Sequence, residues 1–122
     1  MGRAKFKTIP TDFESAAALK GKTIAYATTL KLDEEYNVAH VYQHGNKIAT
    51  YEADGTLTLS NCGWDSVSTS HRLDTLLVAY LGTHSAYRVH IHGGQTCLTN
   101  IATGTHTPAN VMLARTDGTV IA

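Results

Sequence analysis

Cysteine is nearly absent from this chain. Cys62 and Cys97 are the only two among 122 residues, too few for a disulfide-stapled scaffold, and their separation fits no zinc-ribbon spacing. Charge is thin as well: Asp, Glu, Lys and Arg make up 16% of the residues, against roughly 25% in soluble proteins. Ten bases balance ten acids, which excludes a chain-wide basic clamp for nucleic acid. The longest uninterrupted apolar run, residues 76–81, has six residues, whereas a membrane-crossing helix needs about 20. The basic start at residues 1–6 leads into no apolar stretch of a secretory signal. Gly2 lacks the Ser or Thr that myristoylation wants where Phe6 stands. Neither GxGxxG nor a Walker A loop occurs. These absences point to a cytoplasmic chain with reduced thiols, no membrane contact and no cofactor.

What supplies polarity instead is threonine, present 18 times. Its branched, hydroxyl-bearing side chain suits half-exposed strands and turns. With 43% hydrophobic residues, disorder is not expected, and the length fits a single domain because two cores would be undersized. The balanced charge is unevenly spread. Residues 1–31 hold six bases against two acids, and residues 32–122 hold four bases against eight acids. Arg3, Lys5, Lys7, Lys20 and Lys22 therefore read as a basic arm, either for nucleic acid or simply as a solvated segment. The charge split and uncovered hairpin edges also lead us to expect a homo-oligomer.

Local patterns give an α+β fold: an antiparallel sheet of β-hairpins with a central helix over 70–81 and a short N-terminal helix over 12–20. Thr11-Asp12-Phe13-Glu14 reads as a capping box with Thr11 and Glu14 as partners, and Gly21 as the stop. Residues 23–30 read as one strand. Asp54-Gly55, Gly93-Gly94 and Asp117-Gly118 sit between strand-like runs, a hairpin signal. Leu73, Leu76, Leu77, Tyr80 and Leu81 repeat with helical spacing. Residues 103–108 read as a loop. The single domain divides into a basic extension (1–36), a central core (37–100) and a C-terminal hairpin (101–122).

The richest stretch for chemistry is 60–73. A strand ends, the only Trp follows, and a hydroxyl-rich turn enters a helix. Free N–H groups, the helix dipole and Arg72 would together favour an anion. Trp64, Ser68, Ser70 and Arg72 are thus a candidate site for a phosphate-bearing ligand, with Trp64 placed to stack on a ring. The alternative is structural: Ser68 or Thr69 caps the helix, Trp64 fills the core and Arg72 is an exposed charge. His90 and His92 share one strand face, and Cys97 lies on the paired strand, a zinc-type donor set unless they are simply strand histidines. Cys62 lacks the surroundings of a cysteine nucleophile and reads as a small buried residue. No enzyme is expected.

The points Tyr42-Gln43-His44-Gly45-Asn46-Lys47-Ile48-Ala49, Asp54-Gly55-Thr56-Leu57-Thr58-Leu59, Cys62-Gly63-Trp64 and Ser68-Thr69-Ser70-His71-Arg72-Leu73 together resemble a family of small tailed-bacteriophage proteins. The resemblance covers roughly residues 40–99 and brings no established activity. It implies an accessory protein in the infected bacterial cytoplasm that binds a host protein or nucleotide signal without catalysis. A nucleic-acid module using the basic arm, a virion structural protein and a metal-dependent enzyme remain as alternatives.

Overall fold

The computed structural model describes residues 6–122. Its first helix, α1 (Phe13–Ala18), is capped by Asp12, whose carboxylate accepts the Ser15 N–H at 2.8 Å while Ser15 Oγ accepts the Asp12 N–H at 3.1 Å. The reciprocal cap therefore lies one residue later than the Thr11–Glu14 box. The helix ends before Leu19, short of the expected span, because the chain already turns toward the sheet there: the Gly21 N–H donates to Leu30 O at 2.8 Å. Six residues need packing to stay helical. Ala16 supplies it from a fully buried position, with Phe13 and Leu19 against the core.

Residues 23–30 are not one strand. β1 (Thr23–Ala25) turns through Tyr26 and Ala27 and returns as β2 (Thr28–Asp33). Ala27 takes φ 50°, an uncommon conformation for a residue with a Cβ, so nothing local advertises the turn. Hairpins then continue through β3 (Val38–Gln43), β4 (Asn46–Glu52) and β5 (Leu57–Ser60). Helix α2 (Val67–Leu81) follows, then β6 (Tyr87–His92), β7 (Gln95–Asn100), β8 (Thr105–Pro108), β9 (Val111–Ala114) and β10 (Val120–Ile121). The expected α+β class of antiparallel hairpins around one long helix is what forms.

Its strands divide into two sheets. One has the order β1-β2-β3-β4-β5-β9-β10 and the other β6-β7-β8. Since β5 pairs with β9 from Leu57↔Ala114 to Ser60↔Val111, the whole of 61–110 is an excursion between two neighbouring strands. It carries α2 and the small sheet. Helix α2 starts earlier than residue 70 because Ser66, not Ser68 or Thr69, is the N-cap, accepting the Thr69 N–H at 3.1 Å. β8 lies in the segment expected to be a loop. All four of its residues are exposed, so no apolar alternation marked it, yet it pairs with β7 from Cys97↔Pro108 to Asn100↔Thr105.

The two Asp-Gly turns are chemically alike. Asp54 Oδ1 accepts the Thr56 N–H at 2.9 Å and Asp117 Oδ1 accepts the Thr119 N–H at 2.8 Å. Gly55 and Gly118 take φ 100° and 90°, which glycine adopts without strain. One face of the large sheet buries Leu30, Val41, Tyr51, Leu57 and Leu59, and α2 adds Leu73, Leu76 and Leu77 to the same cluster. Among the described residues, no helix is long and apolar enough to cross a membrane.

Leu77 is fully buried in that cluster. Leu77→Asp should lower stability by several kcal/mol, the scale of an unpaired buried charge. Urea unfolding checks this against the wild-type midpoint.

Candidate functional site

A polar turn joins the large sheet to α2, and Asn61 builds it. This side chain is fully buried, and its amide is fully employed. Nδ2 donates to Thr96 Oγ1 at 2.9 Å and to Asp65 Oδ1 at 3.2 Å, while Oδ1 accepts the Gly63 N–H at 2.9 Å. Its backbone carbonyl accepts the Trp64 N–H at 2.9 Å, and its own N–H donates to Asn110 O at 3.0 Å. Cys62 and Gly63 both adopt positive φ, 54° and 83°, so the chain reverses sharply and presents Trp64. Cys62 is exposed, not buried, because this reversal turns it outward; its thiol donates to Lys47 O at 3.1 Å.

Beside this turn lies a cleft of about 360 Å³, lined by Gln43, His44, Asn46, Ile48, Asn61, Trp64, Ser66 and Thr69. Trp64 is 61% exposed, so it does not fill the core. The β3–β4 hairpin makes the opposite wall. The register of this pair shifts between Val41 and Tyr42, leaving adjacent Ile48 and Ala49 both buried. Such a bulge re-aims side chains, and Ile48 reaches the cleft. At the hairpin tip His44 and Gly45 take φ 49° and 80°, the conformation of a two-residue turn that favours Asn-Gly. Tyr26 meets the His44 ring edge-on at 5.9 Å.

Gln43 is the unusual member. It is 7% exposed, and its Oε1 is buried with no hydrogen-bond partner. Leaving a buried acceptor unpaired costs about 1–3 kcal/mol. Gln43 continues the buried parity of Ala39 and Val41 along β3, which is the sequence signal that could have found it: a polar residue in an inward register. Asn61 offered no comparable signal, because a polar residue at a strand end is ordinary.

The four ligand residues expected from the sequence do not converge. Only Trp64 lines this cleft. Arg72 is 2% exposed, contrary to the exposed position expected, and its guanidinium turns inward. Nε donates to Thr28 Oγ1 at 3.0 Å, Nη2 to Tyr26 O at 3.0 Å, and Nη1 to both Ser68 O at 3.3 Å and Ser68 Oγ. Among the described residues no carboxylate lies within ion-pair range of it. Burial pulls its pKa below the ordinary value, but an arginine stays charged in proteins. It pins α2 to the β1–β2 turn. Ser70 donates to Val67 O at 3.0 Å and faces a different groove, shared with His71, Asp74, Arg88 and His90. There Asp74 accepts Arg88 Nε at 2.9 Å and the Val89 N–H at 2.8 Å.

His90, His92 and Cys97 do share a face, since His90 pairs with Cys97 across β6 and β7. However, among the described residues no three His, Cys, Asp or Glu side chains form a metal-holding group. His92 stacks instead on His106, with ring centroids 3.9 Å apart and planes 4° from parallel. The buried Cys97 thiol lies nearest backbone carbonyls, 3.6 Å from that of Gln95. Of the basic arm, Arg3 and Lys5 lie outside the described residues. Lys20 pairs with Glu34 at 3.2 Å, and Lys7 and Lys22 are exposed.

Two outcomes follow. Arg72→Ala should cost about 2–4 kcal/mol, through a cavity and unpaired acceptors. Arg72→Lys should recover only part of that, because an ammonium cannot reproduce the planar fork; urea midpoints decide both. Asp65 also accepts the Thr96 N–H at 2.8 Å, and this bond lowers its pKa below the ordinary 3.8. A depressed carboxyl contributes stability above its unfolded pKa and loses it as pH falls through the folded value. Asp65→Asn should therefore flatten part of the acid limb below about pH 4, read from unfolding midpoints across that range.

No curated protein and no solved structure matches the chain. A family model described as Kyanoviridae Gp96 protein matches residues 7–113, taking in every residue that lines the cleft and extending beyond the 40–99 resemblance on both sides. The chain belongs to that family, and it is a phage protein.

Proposed function

We propose that this phage protein is a non-catalytic binding protein that sequesters a host-derived small molecule, such as a nucleotide signal, in the Trp64 cleft during infection of the bacterial cytoplasm. The observation that carries this reading is the cleft wall itself: an indole left 61% exposed beside a buried, unpartnered acyl oxygen. An exposed indole offers a large apolar ring for stacking, and a buried acceptor without a partner is costly to keep.

The lining supports recognition over turnover. It offers two carboxamides besides Gln43, two hydroxyls, one indole, one isoleucine and a single titratable group, His44. Nucleophilic or acid–base catalysis generally needs a second, coupled group to activate the first. A volume of about 360 Å³ lies near the lower end of small-molecule pockets. The pairing of Lys20 with Glu34 weakens the basic-arm alternative.

The test is retention from a small-molecule extract of infected cells, followed by native mass spectrometry. Wild type should retain a compound and release it chemically unchanged on unfolding, and Trp64→Ala should retain at least about tenfold less, the scale of one lost stacking partner. Retention of nothing, equal retention by the variant, or release of an altered compound would each overturn the reading.

A further inference from the structure

We infer that the outer face of the large sheet is a self-complementary docking surface, on which a second copy of this chain packs about a two-fold axis. The inference goes beyond the binding role proposed above, because this face shares no lining residue with the Trp64 cleft.

Strand alternation creates the face. Ala39, Val41, Ala49, Tyr51, Leu57 and Leu59 belong to the core, to which α1 adds Ala16 and α2 adds Leu73, Leu76 and Leu77. Both helices therefore lie on the inner side of the sheet. The residues alternating with that inner set point the other way, and the registers align them in three rows across the strands. Lys31, His40, Thr50, Thr58 and Leu113 form the middle row. Asp33, Val38 and Glu52 form a row at one end of the strands, and Thr29, Tyr42 and Lys47 form a row at the other. Val38, Tyr42 and Leu113 are only half-buried there.

Charge is divided along the strand direction. Both carboxylates of the face, Asp33 and Glu52, stand at one end. The turns beyond that end hold Glu34, Glu35, Asp54 and Asp117 against Arg115. Lys47 stands at the opposite end. Lys31 leans toward that end from the middle row, with its Nζ 5.0 Å from the centre of the Tyr42 ring.

Such a face matches itself. A two-fold axis along the middle row lays each strand antiparallel on its own copy. Glu52 of one copy then meets Lys47 of the other, Val38 meets Tyr42, and Asp33 meets Lys31. Each pairing occurs twice, as in any isologous contact. His40 Nδ1 and Thr50 Oγ1 already satisfy each other at 2.9 Å, which lowers the cost of drying the middle row. Strands about 4.8 Å apart and same-face rows about 6.8 Å apart make a patch of about 24 by 20 Å over β2, β3, β4, β5 and β9. Two such patches bury about 1,000 Å², the threshold of a specific interface, so the dimer is weak and forms as concentration rises.

Sedimentation equilibrium of the full chain over a concentration series tests this. Wild type should move from 13.1 kDa toward twice that mass. Glu52→Lys and Lys47→Glu should each raise the dissociation constant at least about tenfold, because like charges then face each other. An equimolar mixture of these two variants should dimerise more tightly than either alone, since one chain then presents two cations and the other two anions. Both substitutions in one chain should restore the wild-type constant.

Circular dichroism at dilution checks that each variant is folded. If a charge variant is not, Thr58→Arg takes its place: its cation meets its own copy on the axis and should abolish the dimer. A wild type that stays at 13.1 kDa up to about 1 mM chain overturns the inference. A dimer that survives the single variants and Thr58→Arg belongs to another face and overturns it equally. So does a mixture that associates no better than its components.

Discussion

A buried guanidinium governs how the parts of this protein meet. Arg72 reaches from α2 to the carbonyl of Tyr26 and the hydroxyl of Thr28, while its own helix supplies Ser68 as a third partner. Arginine suits this work because its planar fork meets several acceptors in fixed directions without losing its charge. Removing the charge from water is costly, and here neutral oxygens, not a carboxylate, compensate for it. The bond network explains why the chain reverses at Tyr26 and Ala27, where no glycine or proline asks it to. Two residues on, Asp74 performs the opposite task. It accepts from Arg88 and from the Val89 N–H, so an edge strand of the small sheet is closed by a helix side chain. Exposed strand edges invite unwanted pairing, and this contact removes one donor from the edge. Helix α2 thereby holds both sheets, one through its cation and one through its anion, with Leu73, Leu76 and Leu77 providing the apolar attachment.

The cleft is a consequence of that arrangement. Because β5 and β9 are neighbours, the excursion between them must leave and return at the same end of the sheet, and Asn61 is where it leaves. Each polar atom of the Asn61 amide is occupied, and its bond to Thr96 ties the departing chain to β7. A fully satisfied buried network of this kind specifies one geometry. Gln43, across the cleft, is the counter-example: it occupies a core-facing register but lacks a partner for its oxygen. These two buried carboxamides thus differ in one respect: the amide of Asn61 is fully paired and the oxygen of Gln43 is not. The bulge that brings Ile48 to the wall adds apolar surface to the cleft that Trp64 also lines.

Turns and helix periodicity were readable from the residues alone. Asp54-Gly55, Gly93-Gly94 and Asp117-Gly118 form hairpins because glycine accepts positive φ and aspartate binds the N–H two residues on; both forces act within a four-residue window. The apolar spacing of α2 is likewise local, as is its end at Gly82. Trp64 was legible as a point of interest because an aromatic residue followed a strand-ending glycine. Cap positions were legible only approximately, α1 starting one residue and α2 two to three residues from the expected caps, since Thr11, Asp12, Ser66, Ser68 and Thr69 are all competent caps and the surrounding fold selects among them.

Other features depended on partners far along the chain. Arg72 meets its acceptors across 44 and 46 residues, so its sequence neighbourhood gave it the look of an exposed helix charge near an anion site. The β5–β9 pairing that divides the strands into two sheets is of similar long range, whereas β8 pairs with nearby β7 through residues that carry no apolar alternation. The sequence by itself determined the α+β class, the hairpin turns and the long amphipathic helix, because these rest on dihedral preference and side-chain period. The tertiary structure alone decided that Arg72 is a brace, that His92 stacks on His106, and that Gln43 and Trp64 line one cleft, the first with an unpaired oxygen and the second exposed. Hydrogen-bond satisfaction is a property of what surrounds an atom in space, and only the folded chain defines those surroundings.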